Sequence, residues 1–143
     1  MSNSQKISLN LLDCTLRDGG YYNNWDFSEK LIQNYLENLS RTRIKYVEIG
    51  FRNFKQNRQL GITGYTEDKL LNKLQIPSNL KIGVMVNASE LKKYNYLPLQ
   101  NLKRLFPTIS KKLSFVRFAC HFDEVFLLKD CIYWLQKKKL MYL

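Results

Sequence analysis

Six polar side chains in this sequence have the types and spacing to do chemistry. Arg17 and Asp18 stand side by side and are followed at once by Gly19 and Gly20. A guanidinium beside a carboxylate at a strand exit can grip an oxyanion with the first group and a divalent cation with the second. The glycines allow a tight turn there, which crowds backbone and side chains into one small volume. The same pair would also serve as an ordinary ion pair in a surface loop. The other polar candidates are Glu48, Asn87, Arg117 and His121, the single histidine of the chain.

Strand parity gathers those four. A strand alternates its faces, so every second residue shares a side. In the segment 44–50, Val47 and Ile49 oppose Tyr46, Glu48 and Gly50. In 80–87, Ile82, Val84 and Val86 oppose Gly83, Met85 and Asn87. In 113–120, Val116, Phe118 and Cys120 oppose Phe115, Arg117, Ala119 and, just beyond, His121. The first set of each strand is apolar and belongs under helices; the second collects the polar groups on the opposite face. Charges in a dry interior need partners or a purpose. Glu48 and Arg117 therefore either form an ion pair that fills the interior or do chemistry near the strand ends.

The elements that must place these residues follow from hydrophobic period. An apolar run over 7–12 predicts a short buried strand ahead of Arg17. Asp26 or Ser28 caps a helix whose stripe is Phe27, Leu31, Ile32, Tyr35, Leu36 and Leu39, ending near 41–42. A second strand covers 44–50, and 51–65 lacks a period and reads as a long loop. A second helix begins at 66–68 and stops at Pro77, and a third strand spans 80–87. Pro98 and Pro107 divide 89–112 into two short helices; a fourth strand covers 113–120. A fourth helix covers 122–138, with Val125, Leu128, Ile132 and Leu135 on one face. No fifth strand is recognisable after it. Strand and helix alternating four times predicts right-handed crossovers and a parallel α/β sheet. The spacing fits an open parallel sheet as well as a partial (β/α)8 barrel.

The string Asp13-Cys14-Thr15-Leu16-Arg17-Asp18-Gly19-Gly20 resembles the first-strand signature of the metal-dependent aldolase, lyase and synthase superfamily built on a TIM barrel. That superfamily includes hydroxymethylglutaryl-CoA lyase, and the 4-hydroxy-2-oxovalerate aldolases are the nearest match. Cys14 stands where the pattern has Thr. Tyr46 to Arg52 resembles the second strand of the same superfamily, and Val116 to His121 the fourth-strand segment of the oxovalerate-type aldolases. The resemblance implies a partial TIM barrel of about four βα units. It also implies cleavage or formation of a carbon–carbon bond beside a 2-oxo acid carbonyl through an enolate. A divalent ion, Mn²⁺ or Mg²⁺, would act as Lewis acid. Asp18 would be a metal ligand, Arg17 would stabilise the enolate oxygen, and Glu48 would orient water or a proton. Arg117, His121 and Asn87 would bind substrate. The aldolases have Ser-His in place of Gly20-Tyr21, so their histidine base is missing here, and Tyr21 or Tyr22 would serve only with a pKa far below the usual ~10. The synthases and the hydroxymethylglutaryl lyase have Gln at that place.

A complete barrel needs roughly 250 residues, against 143 here. The expectation is therefore that 1–143 is the N-terminal half of such a barrel, truncated and inactive alone. The superfamily's His-x-His metal pair, which lies in the second half, is absent from the sequence. A half-barrel exposes sheet edges, so self-association is expected. Two other readings stand beside the aldolase: an acyl-CoA-dependent synthase of the same superfamily, and a non-enzymatic basic α/β interaction or nucleic-acid-binding domain. The net charge of +11 invites the last one. However, the lysines are scattered in pairs (Lys92-Lys93, Lys111-Lys112) and one terminal run (137–139), with no zinc-finger or RNA-recognition signature. Three dispersed cysteines, no leader-like N-terminus and no apolar run of about 20 residues fit a cytoplasmic protein with reduced thiols.

Overall fold

A computed structural model describes residues 9–55 and 59–142. The elements alternate as β1 (Leu12–Asp13), α1 (Thr15–Asn23), α2 (Glu29–Leu39), β2 (Tyr46–Phe51), α3 (Ile62–Tyr65), α4 (Asp68–Lys73), β3 (Lys81–Asn87), α5 (Ala88–Leu91), α6 (Pro98–Leu105) and β4 (Leu113–Ala119). A 3-10 helix (Phe122–Leu128), α7 (Lys129–Lys137) and β5 (Met141–Tyr142) complete the series. The strands pair in sequential order, β1-β2-β3-β4-β5, and every pair is parallel.

The alternation in β2, β3 and β4 sorts the sheet into two faces. Val47, Ile49, Ile82, Val84, Val86, Leu113 and Val116 form one core with the apolar stripes of α2, α4, α6 and α7. Those helices cover the same face, whereas a doubly wound sheet carries helices on both. Sequential strands with one-sided helices are the arrangement of a barrel segment. On the opposite face the Phe115 ring lies over Gly83, where an added Cβ would come within 2.1 Å of a ring carbon. Glu48, Met85 and Arg117 share that face. The β2–β3 register shifts between Glu48 and Gly50. Beyond the shift Phe51 clusters with Met85 and Trp25, so strict alternation fails at the end of β2.

Several boundaries differ from the sequence expectation. The leading strand is only Leu12–Asp13; Leu9 and Leu11 are exposed, and residues 7 and 8 lie outside those described. The stretch from Thr15 to Asn23 is a helix, not a glycine turn, and no described glycine has positive φ. Ser28, not Asp26, caps α2, its Oγ accepting from the Leu31 N–H at 3.1 Å. Pro98 does not interrupt a helix but opens α6, where its missing N–H costs nothing. The helix expected over 122–138 begins as a 3-10 segment. Its tighter turn takes Val125 off the buried stripe and leaves it half exposed. Cys120 lies past the end of β4 and is exposed, not under the helices. A fifth strand exists after all: Met141 and Tyr142 pair with Phe115 and Val116. No helix among the described residues is long and apolar enough to cross a membrane.

Candidate active site

The site begins where β1 turns directly into α1. The Asp13 carboxylate accepts from the Thr15 backbone N–H at 3.2 Å, from the Thr15 hydroxyl at 2.9 Å and from the Tyr35 hydroxyl at 2.9 Å. These bonds pin the first turn of α1 to α2 and set Arg17 at the carboxyl end of the sheet. The far end of α1 is fixed by Trp25. Asn24 and Trp25 both have positive φ, at 55° and 60°. Non-glycine residues hold such a conformation only where their surroundings over-determine it. The turn folds the indole back on α1, where its Nε1–H donates to the Arg17 carbonyl at 2.8 Å. Gly20 makes room: a Cβ there would lie 2.0 Å from the indole ring.

Glu48 is fully buried and stands between two guanidiniums. Arg17 Nε donates to Glu48 Oε1 at 2.8 Å. Arg117 donates through Nε to Oε2 at 2.6 Å and through Nη2 to Oε1 at 2.7 Å. Arg117 Nη2 also reaches the Met85 sulfur at 3.0 Å. Arg17 turns its two Nη groups outward to the exposed Asp18 carboxylate, Nη2 to Oδ2 at 3.1 Å with a closer Nη1–Oδ1 contact. Two guanidiniums thus face two carboxylates, Glu48 buried between them and Asp18 exposed at the mouth of the cluster. The Glu48 hydrogen bond holds the Arg117 pKa above its ordinary range, although burial opposes it. Burial is the largest influence on Arg17 as well, but the Glu48 hydrogen bond and charge outweigh it and raise the pKa. Both arginines therefore stay charged. Burial, then the Glu48 charge, pushes the nearby Cys14 thiol up.

The residues singled out from sequence fall into three places. Arg17, Asp18, Glu48 and Arg117 form one connected network, and it contains the Glu48–Arg117 ion pair. Both Glu48 oxygens are taken by arginine N–H groups. Tyr21 lies on the next turn of α1, its ring edge-on to Trp25 at 4.8 Å and largely exposed. Asn87 and His121 sit at the ends of β3 and β4 and line a separate cavity of about 440 Å³ with Lys92, Cys120 and Glu124. The His121 backbone N–H donates to Glu124 Oε2 at 2.9 Å. Sequence reasoning missed Trp25, Phe51 and Met85, which back the arginines. Their only signal was an aromatic residue five positions after a glycine and the apolar ends of two strands. Arg52, part of the second-strand stretch, serves packing: it pairs with Asp68 at 2.7 Å and stacks on Phe106.

Among the described residues no three His, Cys, Asp or Glu side chains gather into a set that would hold a metal ion. Asp18 is a single carboxylate, already engaged by Arg17. These residues alone do not fit Mn²⁺ or Mg²⁺.

Among solved structures the chain is similar to the crystal structure of the N-terminal domain of a putative aldolase from Bacteroides vulgatus. The two share 31% identity with a TM-score of 0.81, over 94% of this chain and 43% of that one. The chain thus has an aldolase-like α/β fold and spans less than half the length of that neighbour. No family model and no curated protein matches it.

Proposed function

We propose that this chain is the N-terminal part of a hydroxymethylglutaryl-CoA-lyase-like aldolase acting on a 2-oxo acid, and that Arg17 and Arg117 form its anion-binding centre. The observation that carries the reading is the fully buried Glu48 carboxylate held between those two guanidiniums, Arg17 just past the carboxyl end of β1 and Arg117 two residues before that of β4. Barrel enzymes place their chemistry at that end. Glu48 is a positioning residue: it aims both arginines and offsets one of their charges. With Asp18 drawn away from Arg17, the remaining charge would stabilise the oxyanion that develops as an enolate forms.

Asp18 occupies the outward fork of Arg17, where an incoming carboxylate or enolate oxygen would bind. In the complete enzyme Asp18 would instead be one ligand of a divalent ion, the others coming from outside the described residues. With one carboxylate available, the chain alone gives no lyase turnover. Tyr21 remains the proposed base, and Asn87 and His121 the proposed contacts to the rest of the substrate. Copies of the chain would associate through the open sheet edges, of which β1 is one, with the exposed Leu11 beside it. We place the protein in the cytoplasm, consistent with three free cysteines.

Calorimetric titration with pyruvate tests the reading. Wild type should bind without added metal, Arg17→Ala should lose binding tenfold or more, and Asp18→Asn should bind more tightly because the fork is freed. Equal affinity in all three proteins would overturn it.

A further inference from the structure

Beside the arginine cluster lies a second cavity, of about 260 Å³, with Tyr21, Trp25, Phe51 and Leu60 among its apolar walls and Asn53 and the Glu90–Lys93 ion pair on its polar side. Its inner wall is built of packed rings. Trp25 and Phe51 are buried and meet edge-on at 5.4 Å, and Tyr21 closes against both, 4.8 Å from Trp25 and 6.4 Å from Phe51. The Arg17 guanidinium carbon is 5.9 Å from the centre of the Phe51 ring. One aromatic ring is therefore shared between the anion site and the cavity. Asn87 reaches the rim of this cavity and of its polar neighbour, and its amide has no partner among the described residues.

The geometry points to a substrate specificity: the cavity takes the far end of the substrate, and that end is an aryl or similarly bulky apolar group on a 4-hydroxy-2-oxo acid. This rests on the reading of Arg17 and Arg117 as the 2-oxo acid site. With the carboxylate and oxo group at the arginines, the chain carries C4 past Asn87, whose free amide is available to the 4-hydroxyl. The next group enters the aromatic wall. A cavity of about 150 Å³ is enough for a benzene ring, so one ring with its connecting carbon fits. A methyl group would leave most of that wall wet, whereas rings prefer the offset and edge-on contacts that Trp25 and Phe51 present. The polar cavity beside His121 is the weaker candidate. It has no aromatic wall apart from the His121 ring, and no described contact joins it to Arg17.

The test uses this chain and three probes, with dissociation constants read by saturation-transfer NMR: pyruvate, 4-hydroxy-2-oxopentanoate and 4-hydroxy-2-oxo-4-phenylbutanoate. The aryl acid should bind at least tenfold more tightly than the methyl acid. In Leu60→Trp, which fills the cavity, that advantage should vanish while pyruvate binding, which also reports folding, stays as in wild type. Equal affinities for the aryl and methyl acids, with pyruvate bound, would overturn the specificity and leave the 2-oxo acid site standing. An aryl advantage that survives Leu60→Trp with pyruvate binding intact would also overturn it. Aryl binding without any pyruvate binding would support the cavity but remove the 2-oxo acid site, and binding of neither would overturn both.

Discussion

Arg117 holds Glu48 by two hydrogen bonds, Nε to Oε2 at 2.6 Å and Nη2 to Oε1 at 2.7 Å, across the β3 strand that separates their own strands. Arg17 adds a third from α1. A carboxylate with no exposure is tolerated only because its oxygens are filled in this way.

Removing that charge should therefore cost more than removing one of its partners. Glu48→Gln leaves Arg117 without a counter-charge and Arg17 with only the exposed Asp18, an expected loss of about 3–5 kcal/mol. Arg17→Ala leaves Glu48 still gripped twice by Arg117, and its cost should be less than half as large. Urea unfolding at neutral pH measures both. A Glu48→Gln protein as stable as wild type, or the reverse order, would contradict the network.

Adjacent glycines of α1 should respond in opposite directions. A Cβ at Gly20 meets the Trp25 ring at 2.0 Å, while one at Gly19 finds only Phe27 at 3.9 Å, an ordinary contact. Gly20→Ala should cost about 1–3 kcal/mol by overpacking. Gly19→Ala should gain up to about 1 kcal/mol from helix propensity. Thermal melts of the two variants check this, and similar melting temperatures would show that the indole does not rest on Gly20.

The contrast also shows what was legible in the sequence. Strand parity placed Glu48 and Arg117 on one face because residue alternation survives through most of β2, β3 and β4. The paired glycines of Arg-Asp-Gly-Gly predict a tight turn, whereas here they lie inside a helix and Gly20 makes space for an aromatic ring. Nothing local announces that Trp25 will fold back, since the reason is tertiary. The shift past Glu48 and the short β5 pairing were likewise set by neighbouring strands, not by the residues themselves. Val125 was lost to a 3-10 turn, whose period differs from that of the stripe it was assigned to.

Stability should fall at alkaline pH through Cys131. Burial pushes this thiol from 9.0 up to about 11. Below pH 9 the folded and unfolded chains both keep the proton. Between pH 9 and 11 the unfolded chain sheds it while the folded chain does not, so stability declines across that window, by roughly 2–3 kcal/mol in full. Unfolding free energies at pH 8 and 10.5 should differ more for wild type than for Cys131→Ala, although the variant starts lower because of its cavity. Equal pH slopes would contradict a buried, protonated Cys131.

The central claim is that Arg17 and Arg117 together receive an anionic oxygen. Its most direct measurement follows the arginine Nε–Hε signals by ¹⁵N NMR during titration with oxalate, a planar dianion shaped like the enolate of pyruvate, at about 0.15 M salt to screen the surface lysines. Saturable shifts at Arg17 and Arg117 with a single dissociation constant, abolished in Arg17→Ala, are the predicted result. Arginine signals that stay still while oxalate perturbs only surface lysines would contradict the account.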